Sequence, residues 1–456
     1  MAIERVVDAY GGQRLVQLRT ISIDSDRRLA WPGQGQTAAF VEFEIDRVTK
    51  HFDLVSEHGS VERWTHQNGN VYHNRYVVTA SGVSTIDYFD MTQTPSETGG
   101  YWQWFSGDYR SADTLLAHLL ATNPPEIEYA GEATYRGRHH DLIAFTVTPD
   151  SPQVTLYIDR DSGLIHRLVM KREIGEVNIL FSAHAKSGGI AFAGEVHIFL
   201  DDDLTEYEQT RNITFNEPVS AKIAIEDGLT LPAPAPDLSE MTVDEIAPNV
   251  FVVGRGDYSL FVEHEGQLLG VNAYAGLRER YLALIAHLGK PTPLASMIVT
   301  HHHSDHMDAV LEAAALGATL HLTDQTNTVL EGRDNWPDNL KVELLGRRSD
   351  IGPLSVFVKA TGHATQNALV YHAATRTLFA DDHYHGLARD APSRIQPSAR
   401  ELHGIIGQLE LDVGFMLSGH ARKAEMWEVF DQAVTTSSND VCPSNRVICS
   451  DQKSGG

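Results

Sequence analysis

Residues 300–306 read "THHHSDH", and imidazoles and carboxylates packed this closely are the ligand types of a metal site. His301 and His303 stand two apart at the end of the apolar run "ASMIVT" (295–300). In extended backbone residues i and i+2 project to the same side, so both rings can grip one ion. Asp305 and His306 follow where "HMDAVLEAAALGA" (306–318) predicts a helix, and that turn re-aims them towards a second ion. His302 should face the other side of the strand and is read as structural. Two ions need about six or seven ligands, so further donors are expected at other strand ends. His363 follows a glycine in "KATGHATQNALVYH" (359–372), an aspartate stands in "TLFADDHYH" (377–385), and His420 lies in "FMLSGHA" (415–421). Ligands at the carboxyl ends of successive strands converge on one sheet edge, where α/β folds place their sites.

The elements that must position these residues divide the chain in two. Residues 1–230 read as a β-rich accessory domain. "FVEFEID" (40–46) alternates, with Val41, Phe43 and Ile45 expected inward and Glu42, Glu44 and Asp46 outward. "VTLYIDRDSGLIHRLVM" (154–170) predicts two strands around a turn, and "VNILFSAH", "GEVHIFL" and "LTEYEQTRNITF" continue the series to residue 215. Helices are predicted from the spacing of Ile3, Val6, Val7 and Tyr10 and from "SADTLLAHLLAT" (111–122). The aromatic run "YWQWF" (101–105) is read as packed core, with the wall of an apolar groove as the alternative. "LPAPAPDLSE" (231–240) is stiff and proline-alternating, giving a linker over 231–245. From 246 to 436 short strands such as "NVFVVG", "YSLFVEHEG" and "QLLGVNAYAG" give way to helices such as "LRERYLALIAHLG", an α/β grammar. "GRGDYS" (254–259) is read as the turn between two strands, not as an adhesion signal. Residues 437–456 form a tail whose Cys442 and Cys449 are either a disulfide or two idle thiols.

With His301-x-His303-x-Asp305-His306, Gly362-His363, an aspartate after an apolar strand and Gly419-His420 in this order, residues about 247–435 resemble the metallo-β-lactamase superfamily. The resemblance implies an αββα sandwich with a two-metal edge site. His301, His303 and His363 would bind one ion, and Asp305, His306 and His420 the other. Asp382 would bridge them, although Asp381 replaces the family's usual glycine and is the alternative bridge. Asn272 stands where the family often has an aspartate behind the ligands. The N-terminal order of helix, "YGG" and antiparallel meander is similar to the periplasmic lipoprotein-carrier half-barrel, which implies a concave sheet able to hold something apolar.

The donor set suits two Zn²⁺, with iron or manganese as alternatives. Zinc lowers the pKa of bound water from about 15.7 towards about 7, so the resemblance implies a hydrolase using a metal-bridging hydroxide, with Asp305 orienting it and moving a proton. A bridging aspartate resembles the lactonase, glyoxalase II-like and phosphodiesterase branches and makes β-lactam hydrolysis secondary. Carboxylic esters or lactones are the expected substrates, because no basic cluster near the motifs would receive a phosphate. Phosphodiesters, phosphotriesters and thioesters are alternatives, and mono-iron sulfur dioxygenation is the alternative of another class. Tyr384 and His385 are candidates to contact substrate.

Composition excludes other classes. There are 61 acidic against 36 basic side chains, a net charge of −25, which disfavours nucleic acid and anionic membranes. No apolar stretch reaches the roughly 20 residues of a membrane helix. "MAIERVVDAYGG" lacks the basic head and apolar run of a signal peptide. The carrier resemblance implies a periplasmic or secreted location for a processed chain, with the cytoplasm as alternative. A small-molecule substrate is the expected partner, and a second copy of the chain is a candidate.

Overall fold

The computed structural model describes residues 2–38, 41–80, 82–97, 99–232, 238–337, 339–386 and 395–437. Linker residues 233–237, and the tail with Cys442 and Cys449, lie outside the described residues. The chain forms two compact units, one of Met1–Ala30, Phe43–His66 and Tyr72–Pro232, the other of Trp31–Glu42, Gln67–Val71 and Ala233–Gly456.

The first unit is built on a 13-stranded sheet. Its hairpins run antiparallel, and Thr20–Trp31 pairs with Asp203–Phe215 to join the two halves of the meander. Helices Ala2–Ala9 and Asp113–Thr122 form where the apolar spacing predicts them. Their Val6, Leu115 and Leu116 share one apolar core with Ile23, Val48, Leu156 and Leu168 of the sheet. The aromatic run opens a further helix, Tyr101–Ser111, that buries Tyr101, Phe105 and Tyr109 and leaves Trp104 40% exposed.

The strand Glu42–Asp53 keeps its period of two with the opposite facing from that expected. Glu44 and Asp46 are buried, while Val41 is 51% exposed. The reason lies on the neighbouring strand. Buried Arg27 bonds Asp46, and its Nη2 sits 3.4 Å from Glu44, so the acids turn inward to a cation that needs them.

In the second unit, two sheets pack face to face. Thr242–Ala247, Val250–Arg255, Asp257–His264 and Gln267–Val271 are antiparallel, and Leu294–Ile298, Thr319–Leu322 and Val342–Leu344 continue the sheet in parallel. The other sheet has six strands, Arg348–Ile351 through Ala421–Met426, with Thr377–Phe379 parallel to Phe415–Ser418. Between them lie Val252, Leu260 and Val271 against Val356, Val370 and Leu417. Outside the first sheet, Leu284 and Val310 of the helices Leu277–Leu288 and Val310–Ala315 cover Phe261 and Met297. Outside the second, Leu402 and Phe430 of Pro397–Gln408 and Trp427–Thr436 cover Leu378 and Met416. The result is the αββα sandwich the sequence led us to expect, each helix burying one apolar stripe.

Candidate metal centre

Strand direction assembles the site. Leu294–Ile298 runs parallel to Gln267–Val271, and Phe415–Ser418 parallel to Thr377–Phe379, so residues leaving their carboxyl ends meet at one edge. His301 and His303 leave Leu294–Ile298, with ring centroids 4.4 Å apart. A short helix, Ser304–Met307, then turns Asp305 and His306 to their places. The backbone pins it to the end of the neighbouring strand, Ala309 N–H donating to Ala273 O at 2.8 Å. His363 sits in a loop closed by Thr361, whose hydroxyl donates to Ala364 O at 3.0 Å. Asp381 and Asp382 follow Thr377–Phe379, and His420 follows Phe415–Ser418.

A smaller group, His301, His306 and Asp381, lies beside two overlapping four-residue ligand groups, His301, His303, His363 and Asp382, and Asp305, His306, His420 and Asp382. All seven residues named from the sequence are present, and Asp382 is common to both. His302 is buried and belongs to neither. The first group is fully enclosed, whereas Asp305 and His420 keep 36% and 28% of their side chains exposed, so the edge opens on the second group.

These residues fit metal ions. His301 Nε2 and His363 Nε2 approach to 3.0 Å, and His306 Nε2 lies 3.1 Å from Asp305 and 3.0 Å from Asp382. Around a tetrahedral ion with bonds of about 2.0–2.1 Å, ligand atoms stand about 3.3 Å apart, close to this spacing. His303 Nδ1 is buried with no hydrogen-bond partner, while its Nε2–H donates to Gly35 O at 3.0 Å. That leaves the Nδ1 lone pair free for an ion, as ligand histidines require. Burial pushes His301 down to about 4 and keeps it neutral. Burial opposes the charge of Asp305, but His306 outweighs it and holds the carboxyl down to about 2.

Asp381 takes a place of its own behind the ligands. Its carboxylate accepts from Tyr274 Oη at 2.9 Å and from Thr300 Oγ1, and lies 3.1 Å from His306 Nδ1. It therefore faces the imidazole nitrogens turned away from the shared aspartate. Asn272 accepts from Thr300 N–H at 3.2 Å and donates to Tyr274 Oη at 3.3 Å. The charge absent from Asn272 is thus carried by Asp381, at the far end of the same hydrogen-bond chains. Asp381 holds φ +52°, a conformation aspartate tolerates better than most residues. Gly419 must be glycine, because a Cβ there would overlap Tyr274 Oη and the Asp381 carboxylate.

Three contacts have no signal in the sequence motifs. Asp257, the acid of the Arg-Gly-Asp turn, accepts from His420 Nδ1 at 2.9 Å and orients it. Gln34 donates to Asp305 Oδ1 at 3.0 Å. Glu401 accepts from Gly362 N–H at 2.9 Å and steadies the loop of His363. The turn at Asp257 was legible as a turn, but its partner is distant in sequence. Of the two candidate substrate contacts, His385 is exposed and stacks on His420, with centroids 5.6 Å apart. Tyr384 corrects the expectation. It is buried edge-on against Phe430 in the core beneath the second sheet, where its ring serves packing.

No family model matches the chain. Solved structures similar to it include the metallo-β-lactamase DIM-1, 19% identical over 44% of this chain and 98% of that one, with a TM-score of 0.34. The metallo-β-lactamase of Hirschia baltica is 18% identical over 43% and 97%, with a TM-score of 0.32. FIM-1 of Pseudomonas aeruginosa, in its mono-zinc form, is 15% identical over 46% and 99%, with a TM-score of 0.35. The chain's own layers and ligand groups define the second unit as an αββα domain with a candidate metal centre at the sheet edge.

Proposed function

We propose that the chain is a binuclear metal-dependent hydrolase of carboxylic esters or lactones. The observation that carries this reading is Asp382, the one side chain common to two complete ligand groups. His301, His303 and His363 would hold one ion, Asp305, His306 and His420 the other, and Asp382 both. Zinc bound there would act as a Lewis acid on the substrate carbonyl and make water acidic enough to attack near neutral pH.

The side chains supply the rest. Asp305, held ionised, takes a proton from the attacking water as its oxygen bonds the carbonyl carbon. As the carbon–oxygen bond of the ester breaks, the same proton passes to the leaving oxygen. Gln34 fixes the Asp305 carboxylate for both transfers through its 3.0 Å hydrogen bond. His385, exposed beside His420, would donate an N–H to the carbonyl oxygen. Among the residues whose side chains are described, no lysine or arginine belongs to either ligand group or hydrogen-bonds to one, which favours a neutral acyl substrate over a phosphate ester.

The test is elemental analysis of the purified protein, followed by a panel of lactones, aryl esters, thioesters, phosphodiesters and a β-lactam. Two zinc per chain, with lactone or ester turnover abolished by Asp382→Ala, is the expected result. One iron per chain with oxygen uptake on thiol substrates would overturn it.

A further inference from the structure

Three strands of the first unit bring a second set of donors together. Arg138–Thr146, Gln153–Asp159 and Ile165–Arg172 are neighbours in the 13-stranded sheet. His140 stands directly opposite Asp159 in the antiparallel register, so both side chains leave the same face. On the other side of Gln153–Asp159 the register shifts at His166, with Ile165 opposite Ile158 and Arg167 opposite Tyr157. His166 is thus the extra residue of a bulge, a device that re-aims a side chain. Its Nδ1 comes within 3.1 Å of His140 Nε2 and 3.8 Å of Asp159 Oδ2. One donor atom from each of the three residues lies within 4.8 Å of the other two. Two imidazoles and a carboxylate at this spacing are zinc-type ligands, and the 3.1 Å between nitrogens is close to the roughly 3.3 Å around a tetrahedral ion.

Local bonds prepare the donors. A carbonyl can only accept, so the 3.0 Å contact between His140 Nδ1 and Arg138 O places the His140 proton on Nδ1. The Nε2 lone pair is then left facing His166, and a backbone bond of this kind is what orients a ligand histidine. Asp159 is anchored through Oδ1, which accepts from the N–H groups of Asp161 and Ser162 and from Ser162 Oγ. Its Oδ2 accepts from Arg138 Nη1 at 3.2 Å, and the Arg138 side chain, 55% exposed, can turn to water when a cation replaces it. His140 and Asp159 are buried, whereas His166 keeps 21% of its side chain exposed and lines a cavity of about 710 Å³. An ion can therefore reach the cluster from that cavity.

We infer that His140, Asp159 and His166 form a divalent-cation site of the zinc class, separate from the cluster at the sheet edge. Without the ion, His166 Nδ1–H donates to His140 Nε2. With it, both nitrogens give their lone pairs to the cation, and the His166 proton moves through solvent to Nε2, so no net proton is released. The ion ties three adjacent strands and stabilises the first unit by binding its folded form. With three donors against the four of each edge group, this site fills last, on added zinc. It does not rest on the proposed hydrolysis.

Calorimetric titration of the full-length protein and of His166→Gln with Zn²⁺ tests it. The wild type should bind one zinc per chain more than His166→Gln, whatever the edge cluster holds, because the edge ligands are the same in both. Added zinc should also raise the melting temperature of the wild type more than that of the variant. Crystals of the wild type soaked in zinc need no variant, and their anomalous density should show an ion bonded to His140, Asp159 and His166. Equal zinc stoichiometry in the two proteins, or soaked crystals with no ion at His166, would each overturn the proposal.

Discussion

Replacing Asp381 by asparagine keeps the shape of the side chain and removes its charge. Three donors converge on the carboxylate, Tyr274 Oη, Thr300 Oγ1 and His306 Nδ1. An amide offers one acceptor oxygen, so at least one buried donor is left facing an NH₂ group. That costs about 1–3 kcal/mol, or roughly ten- to a hundred-fold in an equilibrium constant. The loss falls on metal affinity, because Thr300 Oγ1, 3.0 Å from His301 Nδ1, and the carboxylate beside His306 Nδ1 hold the ligand tautomers. Zinc affinity measured against a competing chelator should fall by that factor, and the visible spectrum of the cobalt-loaded protein should change. Asn272 already bonds Thr300 and Tyr274, so Asn272→Asp combined with Asp381→Gly should restore much of the affinity by moving the charge along the same chain. Zinc affinity within about two-fold of wild type in Asp381→Asn would refute the reasoning, since outer-shell partners typically contribute at least ten-fold.

Other outcomes follow from single contacts. Asp257→Ala frees the ring of His420 and should weaken the second ion by roughly ten- to a hundred-fold, read as a drop from two metals to one on graded dialysis. Asp159 accepts from Ser162 N–H at 2.7 Å and Ser162 Oγ at 2.8 Å, and although burial opposes its charge these bonds hold it down to about 2. Its stabilisation is therefore complete above about pH 4 and disappears as pH falls through about 2. Acid unfolding of Asp159→Asn should lack that part of the pH dependence, and an unchanged profile would contradict it. Leu260→Ala, between the two sheets, should destabilise by about 2–5 kcal/mol in denaturant unfolding. Little change there would mean the sheets do not share that core.

The histidine motif declared its chemistry because ligand type and spacing are local facts. A strand exit places His301 and His303 on one side, and the following turn re-aims Asp305 and His306, so the backbone's own geometry carries most of the prediction. The alternation of apolar residues likewise announced the strands and helices of both units. Which face of a strand is buried was not local. Glu44 and Asp46 turn inward because Arg27, on a neighbouring strand, requires them, and that pairing exists only once the sheet has formed. The surroundings of Asp381 and Asp382 likewise exist only in the folded chain. Adjacent aspartates look alike in the letters, but the φ of +52° at Asp381 turns its carboxylate towards Tyr274 and Thr300 while Asp382 meets both ligand groups. Asp257 beside His420 and Gln34 beside Asp305 are 163 and 271 residues from the groups they steady. Residue types and local spacing determined the donors and the elements that carry them. Only the tertiary structure decided which carboxylate stands in front of the histidines and which behind, because that depends on directions and distances between strands far apart in the chain.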